Sequence, residues 1–335
     1  MNIPSKSITI YDIAKEVGVS ASTVSRVINN KSMVRESTRE LVLEAMRKHN
    51  FSPNAAARGL VTQSTRMIGV LISDIRTTQH TDGIYYVEKE FSSEGYSCII
   101  HNTTRNEDEM ARYIRELCRW KVEGVVLIGS IYANEKVRRA IRDNMPDIPV
   151  VISNGYIKEP NVYGVVTNER AGVSDCVALL ARKGRKCPAM LFNQITPSNS
   201  EKEEGYREGM KVYYPGQEPI VMYAGASDEE IAELTKEVIL NTPGVDALIF
   251  AEDNMAFIGI RTLKDIGVSV PKDVAVIGIN NSRLAENSVP RLTSLDNVLY
   301  NQSVSTAHNL IMLLKGKKIG HKIMLSSKIV EREST

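Results

Sequence analysis

Arg26 stands one helical turn beyond Ser20, Ala21, Ser22 and Thr23 in the segment Tyr11-Asp-Ile-Ala-Lys-Glu-Val-Gly-Val-Ser-Ala-Ser-Thr-Val-Ser-Arg-Val-Ile-Asn29. A guanidinium in that place can give paired donor bonds to guanine O6 and N7, the commonest base-specific contact of the major groove. Ala21 and Ser22 are small, suited to a thymine methyl or a single hydrogen bond. Thr9, Tyr11, Ser20, Thr23, Ser25 and Asn29 carry the hydroxyls and amide that hold phosphates and set register. A second set of polar residues follows apolar runs: Ser73-Asp74, Asn154, Glu252-Asp253 and Asn280-Asn281. Those are the places where a parallel sheet presents ligand groups, although any loop supplies polar residues too.

Other chemistries lack their residues. The run Met67–Ile72 is followed by Ser73-Asp-Ile-Arg76, not by a Gly-rich phosphate loop, and there is no Gly-x-Ser-x-Gly elbow or His-Glu-x-x-His helix. The 5 histidines, at 49, 80, 101, 308 and 321, are scattered, and His49 reads as a helix cap or a surface group. The 4 cysteines, at 98, 118, 176 and 187, form no C-x-x-C pair and no metal spacing, as suits reduced core thiols. No catalytic residue, metal or cofactor is expected.

A chain of 335 residues implies two or three domains. Hydrophobic and charged fractions of 42% and 24% are those of an ordinary globular protein. No segment approaches the ~18 consecutive apolar residues of a membrane span. Met1–Thr9 has no hydrophobic export core, so the expected location is the cytoplasm. Net charge is only +2, but residues 1–66 hold ten Lys/Arg against five Asp/Glu, leaving 32 basic and 35 acidic residues for the rest. A basic head on a mildly acidic body points to a polyanion for the head alone.

Three short helices must position the head's polar groups. Ile10, Ile13, Ala14 and Val17 keep helical spacing up to Gly18, Ser20 can cap a second helix carrying Val24, Val27 and Ile28, and a third spans about 36–49 with Leu41, Val42, Ala45 and Met46 inward. Such a helix-turn-helix sets its second helix across the first. A three-helix cluster with one surface arginine also suits a plain scaffold. After Pro53, the stretch Asn54-Ala-Ala-Ala-Arg-Gly-Leu60 is a conditional helix or a linker, too short to be stable alone. From Met67 β-rich runs alternate with amphipathic stretches, in two similar halves, 67–166 and 167–293. Continuous apolar runs such as Val125-Val-Leu-Ile128 fit strands buried on both faces of parallel sheets. A last helix, about 297–315, and a strand, 321–330, can return to both halves. The expected fold is α/β: a helix-turn-helix head (1–52), a hinge (53–66) and a body (67–335) of two doubly wound subdomains around a cleft. The first subdomain takes about 67–166 and 297–322, the second about 167–293 and 323–335.

The chain closely resembles the lactose/galactose-repressor family of bacterial regulators. Ile10-Tyr-Asp-Ile-Ala, Gly18-Val-Ser, Thr23-Val-Ser-Arg-Val-Ile-Asn29 and Pro53-Asn-Ala-Ala-Ala-Arg-Gly-Leu60 carry the likeness in the head. It continues in Ile68-Gly-Val-Leu, Gly124-Val-Val-Leu, Gly267-Val-Ser-Val-Pro-Lys-Asp-Val-Ala-Val-Ile-Gly278, Pro290-Arg-Leu-Thr-Ser294 and Val330-Glu-Arg-Glu-Ser-Thr335. The resemblance implies a body like a type I periplasmic binding protein, without enzymatic activity. It implies a homodimer on an inverted-repeat DNA operator, with hinges that fold when paired in the minor groove. Asn54 and Ala57 would then contact DNA, and Leu60 would wedge between base pairs and kink the duplex. The chain has no leucine heptads after its last strand, so a dimer is expected and not a tail-mediated tetramer.

In that frame Ser73, Asp74, Asn154, Lys202, Glu252 and Asn280 fall where relatives touch their effectors. Departures qualify the ligand. Lys202 stands in place of the usual arginine, Asn154 and Asn280 stand where Asp is commoner, and Ala226 replaces a sugar-stacking aromatic. Arg76, His80 and Lys202 together hint at a ligand of acidic character, a sugar acid or phosphate in place of a plain sugar. The expected function is a repressor of carbohydrate-related genes under small-molecule control. An activator or a corepressor-dependent regulator remains the alternative. The head sets aside a solute-binding transport protein, which the body alone would suit.

Overall fold

The computed structural model describes residues 8–28, 33–49, 51 and 64–335, in two compact units that divide at Thr65 and Arg66. The first unit contains α1 (Ile10–Val17), α2 (Ala21–Ile28) and α3 (Glu36–Lys48). Thr9 caps α1 reciprocally: its hydroxyl accepts from the Asp12 amide, and the Asp12 carboxylate accepts from the Thr9 amide at 2.8 Å. Gly18 ends the helix with φ at 73°, left-handed backbone that glycine adopts at no steric cost. Ser20 then caps α2, its Oγ accepting from the Thr23 amide at 3.2 Å. None of these helices is long enough to persist alone. Their stability comes from a shared core of Ile13, Ala14, Val24, Val27, Val42 and Ala45. Lys48 reaches Glu16 at 2.8 Å and His49, the C-cap of α3, also pairs with it, so the end of α3 is tied to α1. These partners hold the Glu16 carboxyl below the usual range. Leu41, expected inward, is 55% exposed. The core face of α3 is centred between Val42 and Ala45, and Leu41 sits about 70° off that line.

The second unit is built on two six-stranded sheets. The first contains β1 (Met67–Ile72), β2 (Ser97–Asn102), β3 (Gly124–Ile128), β4 (Val150–Ser153), β5 (Val162–Thr167) and β11 (Lys322–Leu325), in the order β11-β5-β4-β3-β1-β2 and parallel throughout. Its helices are α4 (Thr78–Ser93), α5 (Glu107–Arg119), α6 (Glu135–Asn144) and α12 (Leu299–Leu314). The second contains β6 (Pro188–Phe192), β7 (Ile220–Tyr223), β8 (Ala247–Phe250), β9 (Ala275–Ile279), β10 (Thr293–Asp296) and β12 (Lys328–Val330), in the order β12-β10-β9-β8-β6-β7. It is flanked by α7 (Glu169–Arg182), α8 (Pro197–Tyr213), α9 (Asp228–Asn241), α10 (Asp253–Asp265) and the short α11 (Arg283–Asn287). Central strands such as β3 are buried throughout, which is why they read as unbroken apolar runs.

The chain passes between the sheets after β5, after β10 and after β11. The single strand expected over 321–330 is two. Lys322–Leu325 pairs with β5 in the first sheet, and Lys328–Val330 pairs antiparallel with β10 in the second. A boundary at 322/323 would cut β11, and the crossing comes instead after Leu325. The sequence pattern predicts no strand at β10, because Thr293-Ser-Leu-Asp296 has no apolar run, yet Thr293 and Ser294 are fully buried. Close packing sets α7 against α8: a Cβ on Gly205 would lie 2.1 Å from the Arg170 carbonyl oxygen. That approach brings Glu169, at the start of α7, beside Lys202 on α8.

Candidate functional site

In the head, Ser22 and Arg26 are four residues apart on α2 and both exposed, so they share one outward face. Tyr11 presents a ring 74% exposed in the first turn of α1. Ser20 Oγ lies 2.8 Å from Ser22 Oγ and 2.9 Å from Thr23 Oγ1, which links three hydroxyls at the start of α2. Thr9 uses its side chain in the α1 cap. Ala21 packs against the small core, and Ser25 is half-buried. Asn29, Asn54, Ala57 and Leu60 lie outside the described residues.

In the body, a cavity of about 150 Å³ lies between the carboxyl ends of the two sheets. Ser73 follows β1, Gly129 and Ser130 follow β3, and Asn154 follows β4 on one side. Asn193, Glu252 and Asn280 follow β6, β8 and β9 on the other. Asn154 and Asn280 adopt positive φ, 63° and 107°, a backbone state that asparagine tolerates better than most residues. The Ser198 amide donates to Ser130 Oγ across the cleft at 3.2 Å.

The polar groups of this cavity are held by one another. Lys202 Nζ is buried, 3.6 Å from Glu169 Oε1, and donates to Asn199 Oδ1 at 3.2 Å and to the Ala251 carbonyl at 3.1 Å. Glu169 also accepts from Ser198 Oγ and, at 2.8 Å, from Asn297 Nδ2. The Asn297 amide continues to Asn280 Oδ1 at 3.1 Å. Asn193 Nδ2 donates to Glu252, leaving Asn193 Oδ1 buried with no partner. His80 Nδ1 is 3.0 Å from the Asp74 carbonyl, so that nitrogen carries the proton and Nε2 accepts. Burial lowers the His80 pKa, which keeps the ring neutral at pH 7.

Asp74 and Arg76 lie outside this cavity and line an adjoining hollow of about 420 Å³ that shares Glu252 and Asn280 with it. Arg76 forks onto Asp74 with bonds of 2.7 and 2.9 Å and is otherwise exposed, and its guanidinium holds the Asp74 carboxyl at about 2. The three cations behind the acidic-ligand expectation are therefore engaged or uncharged: Arg76 by Asp74, Lys202 by Glu169, and His80 by its neutrality.

Sequence reasoning missed Glu169, Asn193 and Asn297. Asn193 had the signal that marked Asn154 and Asn280, a polar residue directly after an apolar strand. Glu169 looked like an ordinary acid in a first helical turn, and Asn297 followed an unrecognised strand. Among the described residues no three His, Cys, Asp or Glu gather as a metal site, and no helix is long and apolar enough to cross a membrane.

A helix-turn-helix head joined to a two-sheet body with a polar cleft defines a ligand-responsive DNA-binding regulator. Residues 9–54 match bacterial regulatory proteins of the lacI family, and residues 177–335 match a periplasmic binding protein-like domain. Over 329 residues the chain is 31% identical to an HTH-type transcriptional regulator of Lachnoclostridium phytofermentans, covering 97% of this chain and 99% of that protein. It is 30% identical over 332 residues to catabolite control protein A of Streptococcus mutans, with 98% of each covered. The fold is similar to a crystal structure of the lac repressor dimer bound to operator and the anti-inducer ONPF, with TM-score 0.89 and 22% identity over 98% of this chain and 99% of that one. The chain belongs to the lacI family of bacterial transcriptional regulators.

Proposed function

We propose that this protein represses carbohydrate-related genes from the cytoplasm, without catalysis of its own, by binding a palindromic operator as a homodimer. In this reading residues 1–52 bind the major groove, 53–66 form the hinge, and the body from 67 senses a small molecule. Arg26 reads guanine, Ser22 and Ala21 contact neighbouring bases, and Tyr11, Ser20, Thr23 and Ser25 hold phosphates. Thr9 supports them through the cap it gives α1.

The ligand is a neutral polyhydroxylated molecule of monosaccharide size, in preference to a sugar acid. The observation that carries this is the internal pairing of Lys202 with Glu169, which engages the buried cation of the lining among the described residues; Arg105, also in the lining, is exposed. Asn193 Oδ1, buried without a partner, His80 Nε2 and the Glu252 carboxylate can accept further donors, and hydroxyl groups supply them. At about 150 Å³ the cavity is also below the ~300–1,000 Å³ of drug-sized sites.

A thermal-shift screen of monosaccharides, sugar acids and sugar phosphates tests the ligand class. Neutral sugars should raise the melting temperature; stabilisation by acidic compounds alone overturns it. Selection of duplexes from a random library tests the DNA reading, and failure to enrich any inverted repeat with or without those ligands overturns that part.

A further inference from the structure

All six strands of the first sheet run in one direction, so the residues that enter them lie along a single edge. Arg66, the first residue of the second compact unit, is on that edge. Its carbonyl accepts from the Ser97 amide at the start of β2 at 2.8 Å, and its own amide donates to Glu123, just before β3, at 2.8 Å. Head and body are joined in one chain at Arg66, and such a linkage raises the local concentration of a duplex held by the head around the body.

Helices α4, α5, α6 and α12 end on the same edge. Arg119 and Arg142 in the last turns of α5 and α6, with Lys315 at the end of α12, answer the partial negative charge of those termini. Most carboxylates of the edge are taken: Glu94 by Lys315 at 2.8 Å, Asp143 by Arg142 at 3.1 Å, Glu159 by Arg138 at 2.7 Å, and Glu123 by the Arg66 amide. Beyond these, Lys158, Lys317, Lys318 and Lys322 are exposed without an ion-pair partner among the described residues, against one such carboxylate, Asp147. This surplus belongs to a body in which acidic residues outnumber basic ones.

The loop from Lys315 to His321 runs the width of the edge. It begins beside Arg66, whose guanidinium reaches the Glu94 carbonyl at 3.4 Å while Lys315 holds the Glu94 carboxylate. It ends at β11, on the far side of the sheet. Four strand spacings separate β1 from β11, about 19 Å, which matches about six base pairs of duplex axis.

We propose that this lysine edge is a second DNA-contacting surface, which takes up backbone phosphates of the duplex gripped by the heads and reads no bases. Lysine suits that role because it is a point charge on a flexible stem and needs no fixed geometry. The added phosphate contacts raise affinity and salt sensitivity, and they leave sequence preference to the head.

The test uses full-length protein and a random-sequence duplex, so the operator need not be known. One variant carries Lys317→Gln, Lys318→Gln and Lys322→Gln. A control carries Lys211→Gln, Lys264→Gln and Lys272→Gln, an equal charge change on exposed lysines of the second subdomain. Binding is titrated between about 50 and 200 mM salt. The edge variant should show a shallower dependence of log K on log salt, by about 0.9 for each phosphate that is no longer neutralised. The control should keep the wild-type slope, and a Lys→Arg triple at the edge should keep it too. An edge variant with the wild-type slope, or a control flattened as much, overturns the proposal. A second measurement is independent of charge removal: Lys318→Cys carrying a photo-crosslinker should label the duplex, and absence of labelling while the heads stay bound also overturns it.

Discussion

Lys202 and Glu169 are both buried, with side chains 7% and 4% exposed, and among the described residues neither forms another ion pair. Lys202→Met therefore leaves a buried carboxylate without its counter-ion. The cost should be about 3 kcal/mol, the lower part of the range for breaking a buried pair, because 3.6 Å is longer than a direct charged hydrogen bond. Glu169→Gln added to Lys202→Met should restore most of it, since no charge is then left alone. Denaturant midpoints of the two variants decide the matter, and a double variant as unstable as the single would show that the loss is packing and not charge. Asp253 is a different case. Burial raises its carboxyl to about 6, although Ser294 Oγ and the Ser282 amide donate to it, each at 2.6 Å. The unfolded chain gives up this proton near 3.8, so between pH 3.8 and about 6 the folded state binds more protons. Stability from this group is full below that window and falls as pH rises through it, by about 3 kcal/mol at most. Asp253→Asn keeps an acceptor and loses the titration. Its stability should start lower and stay flat where wild type declines, and parallel profiles from pH 4 to 7 would remove the assignment.

At the scale of elements, α1 depends on its N-cap, Thr9, more than on its length. Eight residues cannot hold a helix in water, and the Thr9–Asp12 box satisfies two of the backbone donors that would otherwise be orphaned. Thr9→Ala should destabilise the head by about 1 kcal/mol and weaken DNA binding with it. Heat denaturation followed in the isolated signal of α-helix loss, with the body still folded, measures this; an unchanged head with weaker binding would give Thr9 a direct role on DNA. The same capping logic made much of the head legible from sequence, for Gly18 and Ser20 mark helix ends and Ile13, Val24 and Val42 its core; Thr9 reads there only as a phosphate contact, and its cap shows in the structure. The central strands were legible because burial on both faces writes itself as an apolar run. The edges were not. β10 is buried but polar, since its Thr293 and Ser294 bond to the C-terminal residues Ser334 and Thr335 and to Asp253. The expected strand at 321–330 divides because the chain must change sheets within it. Glu169, Asn297 and Asn280 were illegible as a group for a related reason. Glu169 and Asn297 sit at two successive crossings between the sheets, 128 residues apart in sequence, and Asn280 joins them from the end of β9.

At the scale of the whole body, those crossings are also where ligand occupancy can be converted into movement. Gln302, in the first turns of α12, donates to Thr167 Oγ1 at 3.1 Å, and Thr167 Oγ1 donates to the Asn297 carbonyl at 3.0 Å. Asn297 then joins Glu169 and Asn280, which line the cavity. The first two crossings are therefore bonded to each other and to the ligand-facing groups, while Asn297 Oδ1 stays buried without a partner. Val298, next along, sits at φ 49°, a left-handed backbone that a β-branched residue adopts only at a cost of order 1–3 kcal/mol. A crossing with an unsatisfied acceptor and a strained neighbour is poised to rearrange when the groups beside it change partners. A ligand can shift the body only by binding one arrangement better than the other, and Asn297, which bonds to both Glu169 and Asn280, shares hydrogen bonds between cavity and crossing, as Gln302 does through Asn154 at 3.5 Å. Asn297→Ala should leave ligand affinity within a few-fold and shrink the ligand's effect on DNA affinity toward unity. The measurement is the ratio of DNA dissociation constants with and without the strongest ligand of the thermal-shift screen, in wild type and variant. Because coupling is reciprocal, DNA should also cease to alter ligand affinity in the variant. A variant that binds ligand as wild type does and keeps the full ratio would place the coupling elsewhere, in the packing of α8 against the first subdomain.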